Sequence, residues 1–360
     1  MSTAVPIGLV DRSYKESITR AWNAYQGGTN GGFAVDSDLA QIVWDKARQV
    51  DTPLARCRLW TTSKVEFNWP AFDETSRVTG SRWGGLKATW RGGGLDRSLT
   101  SDASVPGFSL VKFRPSSLII YSDPLPRDLF SDSDLVADAL SQTAHLELAY
   151  AIVDAMVNGD GLDKPLGVLN AKATIKIARS AANDVKADDI DSMWSRFWGP
   201  SRSNAVWICA DDTLLKVDAA AESYPSGMYF PQGYGGNPYP LLKGRPLLSI
   251  EQCPALGSLG DLILADWSQF GLVARAAPVK GKSQSDSPEI EVSKETVDGI
   301  HGLLANQVDG ASTEHLRFDT DEVVWRFKIR VDGKPMWLRP VEIANRSQTA
   351  SPFIALGDPA

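Results

Sequence analysis

The chain has 360 residues, 43% of them hydrophobic and 22% charged, with a formal net charge of −7. That length carries two sizeable domains, and the apolar content excludes a disordered chain. Net acidity argues against a dedicated DNA-binding protein, whose footprint is basic.

Cys57, Cys209 and Cys253 lie far apart with no C-x-x-C pair, so neither a zinc site nor a disulfide framework is indicated. They read as reduced structural thiols. No apolar run approaches the roughly 18 residues that span a bilayer, and no signal-peptide core precedes the body of the chain. The expectation is a soluble intracellular product.

Residues 1–32 mix a short amphipathic piece, Tyr14–Tyr25, with Gly27, Gly28, Gly31 and Gly32. They read as an arm on a flexible joint. Asp36-Ser37-Asp38 then caps a helix through Leu39, Ile42, Val43, Lys46 and Val50. From Leu54 to Tyr121 the pattern turns to strands: Val65–Trp69 and Ser109–Phe113 alternate, and Leu118–Tyr121 follows. Between them lies a glycine-rich excursion carrying Trp83, Gly84, Gly85, Trp90 and Gly92–Gly94. At roughly 40 residues it is too long for a hairpin loop. It is a disordered insertion or an extended arm whose tryptophans a neighbouring subunit buries. Trp83 and Trp90 favour the arm, since free tryptophans on a loose loop invite aggregation.

Ser131–Asn170 is the stretch that organises the rest. Leu135, Ala139, Leu146, Tyr150, Val153 and Val157 recur at helical spacing and predict one apolar stripe. Ser131 or Ser133 is a natural N-cap, and the acidic first turn suits the helix dipole. A helix from Ser133 to Val157 is roughly 37 Å long at about 1.5 Å per residue, the length of a strut. Asn158-Gly159-Asp160-Gly161 ends it, with Pro165 soon after. A calcium loop competes for Asn158, Asp160 and Asp163. It fails because Leu162 occupies a ligand position and Leu169 stands where the bidentate Glu belongs.

Ala187–Phe197 reads as a helix with Ile190, Met193, Trp194 and Phe197 on one face. Asn204–Ala210 is a buried-strand run, capped by Asp211-Asp212 before a helix through Leu214, Leu215 and Val217. Glu322–Arg330 alternates strictly. Val331–Pro335 then reads as a turn, Asp332-Gly333 being good hairpin chemistry.

Catalytic chemistry is not indicated. His145, His301 and His315 are scattered. Gly257-Ser258-Leu259-Gly260 is one residue short of a nucleophile elbow. Asp188-Asp189 and Asp211-Asp212 sit at helix starts, where caps are expected. No catalytic, cofactor or metal residues are assigned, because no convergent ionisable groups are found.

The run NGDGLDKPLGVLN after the long helix resembles the signature of the major capsid proteins of tailed bacteriophages with the HK97 fold. Other stretches follow that family's order: Gly31-Gly32-Phe33-Ala34-Val35, Asn204–Ala210, Gly260–Asp266 and Glu322–Arg330 before Asp332-Gly333. The resemblance covers roughly residues 27–357. Asp36-Ser37, where Pro-Glu is common, is a mild departure.

The resemblance implies an α+β fold. Its parts would be an N-arm (1–35), a peripheral domain (36–60 and 116–165, with the spine helix), an E-loop with flanking strands (61–115), an axial domain (166–317) and closing peripheral strands (318–360). It implies a structural protein, not an enzyme, that assembles as hexamers and pentamers into an icosahedral shell around double-stranded DNA. Trp83, Lys87 and Trp90 in the E-loop, and Trp22 and Tyr25 in the arm, are the candidate inter-subunit contacts. Lys87 is expected to be solvated or salt-bridged, not to crosslink the lattice. The implied partners are further copies of the chain, a scaffolding protein, a portal, a decoration protein and packaged DNA, with no membrane. Only 26 residues precede Gly27-Gly28, so scaffolding is expected from a separate protein unless the chain has already been cut; Met1 favours the separate protein. An encapsulin-like compartment shell is the alternative, and a carboxylate-dependent enzyme the remote one.

Overall fold

The computed structural model describes residues 53–77, 82, 108–122, 125–126, 134–275, 290–296, 322–344 and 348–357. The arm with Trp22 and Tyr25, the helix expected after Asp36, the excursion with Trp83, Lys87 and Trp90, and His301 and His315 lie outside these residues.

A short helix α1 (Pro53–Arg56) leads into β1 (Arg58–Thr62). The hairpin β2 (Phe67–Phe72) and β3 (Phe108–Phe113) follows, then β4 (Ser116–Tyr121) and β5 (Leu125–Pro126). The long helix α2 runs Asp134–Asn158, within a residue of the expected bounds. After it come β6 (Ile175–Ala178), α3 (Ala187–Arg196), β7 (Val206–Cys209), α4 (Asp211–Ala219), β8 (Tyr229–Phe230), β9 (Leu241–Leu242), β10 (Arg245–Ser249) and β11 (Leu262–Ala265). The chain continues through β12 (Phe270–Arg275), β13 (Ile290–Thr296), β14 (Glu322–Pro335), β15 (Val341–Glu342), β16 (Thr349–Ala350) and β17 (Phe353–Gly357).

Two sheets form the body. The seven-stranded sheet has the order β6-β17-β11-β7-β10-β9-β8. Its central strands are buried on both faces, so they are continuous apolar runs and not alternating ones. Val206, Ile208, Ile263, Ala265, Phe353 and Ala355 point into the core that contains α2. Their neighbours Trp207, Cys209, Leu262, Leu264, Ile354 and Leu356 point the other way, onto Ile190 and Met193 of α3 and Val217 of α4. The six-stranded sheet is organised on β14, which pairs with β4, β5, β12 and β13. Phe270, Leu272, Ile329 and Val331 from this sheet join the α2 core as well. One helix thus packs against both sheets.

The buried face of α2 differs from the expected stripe. Ala144, Leu148, Ile152 and Met156 form one i, i+4 row, and Ala149, Val153 and Val157 a second, all buried. Leu146 is 54% exposed and Tyr150 45% exposed. Leu146 and Tyr150 put apolar residues on the exposed side as well, so spacing alone did not single out the face that packs.

Asp332-Gly333 is not a turn. β14 passes straight through it, with Asp332 opposite Val273 and Gly333 opposite Leu272. The glycine serves close packing: a Cβ there would lie 2.8 Å from Cε1 of Phe270. Sheet membership also cuts across the expected segment boundaries. Phe353–Gly357, assigned to the closing peripheral strands, lies between β6 and β11. Phe270–Arg275, assigned to the axial segment, joins β1 and β14 in the other sheet.

Candidate functional site: the joint at the end of the long helix

The last turn of α2 and residues 159–170 tie the two sheets to one point. Gly159 donates its N–H to the Ala155 carbonyl at 3.0 Å, and Gly167 donates to the Gly159 carbonyl at 2.9 Å. The chain crosses itself so closely that a Cβ on Gly159 would stand 2.0 Å from the Pro165 carbonyl oxygen. A Cβ on Gly167 would stand 2.5 Å from Gly159 N and Val157 O. Both glycines are required by space and not by a left-handed backbone.

Side-chain amides complete the knot. Asn170 Nδ2 donates to the carbonyls of Asn158 and Gly159 at 2.9 and 3.0 Å, satisfying helix-end acceptors. Asn158 Nδ2 donates to Asp154 Oδ1 and to the Gln252 carbonyl, both at 2.8 Å. Gln252 follows β10 of the seven-stranded sheet. The Leu166 N–H donates at 2.7 Å to the Gly333 carbonyl of β14. Asp160 accepts from the Leu162 N–H at 3.0 Å and faces Lys164 Nζ at 3.6 Å. Those contacts hold its carboxyl below the ordinary value, the Leu162 N–H contributing most. Asn158 and Asp160, two of the three residues weighed as calcium ligands, therefore serve as cap and turn groups.

Two buried carboxylates brace the rest. Arg179 and Asp261 form an ion pair at 2.7 Å with both side chains fully buried. Arg179 Nε also donates to the Gly357 carbonyl at 2.8 Å, and Asp261 Oδ2 accepts from the Gly257 N–H at 2.9 Å. The pair fastens the ends of β6 and β17 to the loop before β11. Asp332 accepts from the Arg114 N–H at 2.7 Å and the Gly333 N–H at 2.8 Å, with Lys334 Nζ at 3.5 Å. It pins the β3–β4 elbow to β14. Burial, which outweighs these bonds, pushes its carboxyl up from the ordinary value.

The buried carboxylates Glu74, Asp189, Asp261, Asp266 and Asp332 are all engaged. Glu74 pairs with Arg77 at 2.9 Å. Asp189 accepts from Ser180 N–H and Lys186 N–H at 2.9 and 3.1 Å. Asp266 caps Ser268 at 3.0 Å. Asp188, Asp211 and Asp212 are exposed at the starts of α3 and α4. Asp189, Asp261, Asp266 and Asp332 hold backbone in place, and Glu74 holds the Arg77 side chain. Cys57, Cys209 and Cys253 are buried thiols outside any disulfide. Burial pushes the Cys209 thiol up to about 12 and the Cys253 thiol well above its usual range. Among the described residues no helix is long and apolar enough to cross a membrane.

Sequence reasoning found the knot through its Asn-Gly-Asp-Gly and Pro-Leu-Gly runs. It quoted Asp261 without a partner and misread Asp332 as a turn residue, because spacing along the chain carries no trace of contacts 82 or 218 residues away.

The sequence model of the phage capsid family matches residues 31–345. A search of curated protein sequences gives no match. Among solved structures, the capsid of the native GTA particle is similar with a TM-score of 0.53 and 15% identity, over 93% of this chain and 94% of that one. A structure from Microbacterium phage Oxtober96 is similar with a TM-score of 0.53 and 14% identity, over 85% and 90%. A holo-encapsulin complex from Synechococcus elongatus gives a TM-score of 0.50 and 9% identity, over 93% and 94%. At such identities the likeness is one of fold. Family match and fold agree: the chain belongs to the phage capsid family and is a major capsid protein with the HK97-like α+β fold.

Proposed function

We propose that copies of this chain assemble as hexamers and pentamers into a closed icosahedral shell around double-stranded DNA. The observation that carries this reading is mechanical. A long helix is locked between two sheets, and Leu146, Tyr150 and Leu110 are large apolar side chains that stay exposed on the subunit. In this reading the six-stranded sheet with α2 is the peripheral part, and the seven-stranded sheet is the axial part. The glycine-rich excursion is the E-loop that grips a neighbour through Trp83, Lys87 and Trp90, and Trp22 and Tyr25 of the arm make further contacts. A scaffolding protein, a portal and a decoration protein are the proposed partners, and assembly takes place in the host cytoplasm.

Electron microscopy of this protein purified as it assembles in its native source, where any scaffolding protein is present, tests the reading, with closed particles expected and small oligomers fatal to it. Deleting residues 80–98 should leave folded, soluble subunits that make no stable shells; normal shells from that deletion would remove the E-loop role. The likeness to an encapsulin favours one second reading, a compartment shell. Particles purified from their native source decide: packaged DNA supports the virion, and a packaged protein cargo supports the compartment.

A further inference from the structure

One face of α2 is exposed. Thr143, Leu146, Glu147, Tyr150 and Asp154 lie at the surface and recur at the i, i+3, i+4, i+7, i+11 spacing of a single helix face. Leu146 and Tyr150 stand one turn apart in its middle. The helix is also one-sided in charge. Its sequence holds Asp134, Asp138, Glu147 and Asp154, with no lysine or arginine from Asp134 to Asn158.

Another stretch of the same chain has the complementary character. Tyr14, Ile18, Ala21, Trp22 and Tyr25 recur at i, i+4, i+7, i+8, i+11, which predicts a helix with one apolar face. Ser13-Tyr14-Lys15-Glu16 is capping-box chemistry for its start, and Gly27-Gly28 suits its stop. From Asp11 to Tyr25 the cations Arg12, Lys15 and Arg20 outweigh Asp11 and Glu16. At about 1.5 Å per residue, this stripe and the exposed face of α2 each run for roughly 16 Å.

The chain also enters the described structure beside α2. Leu54 of α1 lies in the same buried cluster as Ala144, Leu148 and Ile152 of α2. At about 3.3 Å per residue, residues 26–52 have the reach to return to any point along a helix of roughly 37 Å. A segment tethered at that place meets α2 at high effective concentration.

We infer that residues 14–25 pack as a helix along the exposed face of α2 in their own subunit, the apolar stripe lying on Leu146 and Tyr150. Opposite charge favours the pairing: a basic segment meets a helix that carries only carboxylates. Trp22 and Tyr25, assigned above to contacts between copies, thus have a first partner within the subunit. The inference does not rest on the shell reading.

The full chain, kept monomeric by dilution and checked by light scattering, is the material for the test. In hydrogen exchange the amides of 14–25 should be protected in wild type and exchange roughly tenfold faster in Leu146→Lys, which removes apolar contact and repels the cations. The amides of 148–157 should exchange as in wild type. Unprotected 14–25 in wild type, or equal protection in the variant, overturns the inference. Should Leu146→Lys fail to fold, a photoreactive benzoylphenylalanine at position 150 keeps the exposed ring in place. Irradiated monomers should join position 150 to residues 14–25. Links spread along the chain, no link, or links to 14–25 that form only once copies assemble overturn it, the last assigning the face to a neighbour's arm.

Discussion

Arg179 and Asp261 were each taken out of water and given one another, so removing either strands the charge of the other. Arg179→Met should cost about 3–5 kcal/mol, and adding Asp261→Leu should recover part of it. Denaturant midpoints of the single and double variants check this; a double variant worse than the single would mean that the pair is not what the loop depends on. Asp332 has the opposite character, because burial outweighs its bonds from Arg114, Gly333 and Lys334 and raises its carboxyl. The folded chain therefore holds that proton more tightly than the unfolded chain. The stability it contributes is fully present below the ordinary value of 3.8 and is lost as pH rises through the raised one. The stability of wild type relative to Asp332→Asn should accordingly grow on acidification from neutral pH, measured by urea unfolding. A difference that shrinks instead would contradict the assignment. The sequence pointed to Asp261 and Asp332 without their partners, because a charge's partner is set by tertiary contact.

Elements were more legible where their signals are local. The ends of α2 follow from its acidic start and its Asn-Gly break, and β7 reads as an apolar run because both of its faces are covered. The packed face of α2 was not legible, since Leu146 and Tyr150 are as apolar as the residues that face the core. Asp332-Gly333 misled for a related reason: hairpin chemistry is a local preference, and here the ring of Phe270 needs the space beside Gly333. Gly333→Ala should cost about 1–3 kcal/mol by overpacking, and Phe270→Leu in the same chain should relieve it. Thermal unfolding of the three variants measures the effect. A neutral Gly333→Ala would show that the ring of Phe270 does not need that space.

At the scale of the molecule the two sheets share one core through α2, and the thiols report on it. Cys57 and Cys253 lie in the cluster around α2, while Cys209 lies on the opposite face of the seven-stranded sheet. The interlock predicts one cooperative unfolding unit. Thiol labelling along a urea series should therefore expose all three cysteines in a single transition, with little reaction before it. Labelling of Cys209 well apart from the other two would show that the halves open independently. The pairing of the two sheets was beyond the sequence reading, which placed 353–357 with its neighbours along the chain and not with β6 and β11.

The position of β17 sets a clock on the making of the protein. Its Ile354 registers with Ile175 of β6, so the strand that completes the sheet emerges about 180 residues after the strand it must lie beside. At roughly 5–20 residues per second that is a wait of roughly 10–40 s on the ribosome. Until then β6 and β11 lack the strand between them and Arg179 lacks the Gly357 carbonyl. A nascent chain that has not yet delivered β17 cannot present the finished seven-stranded sheet to a neighbour.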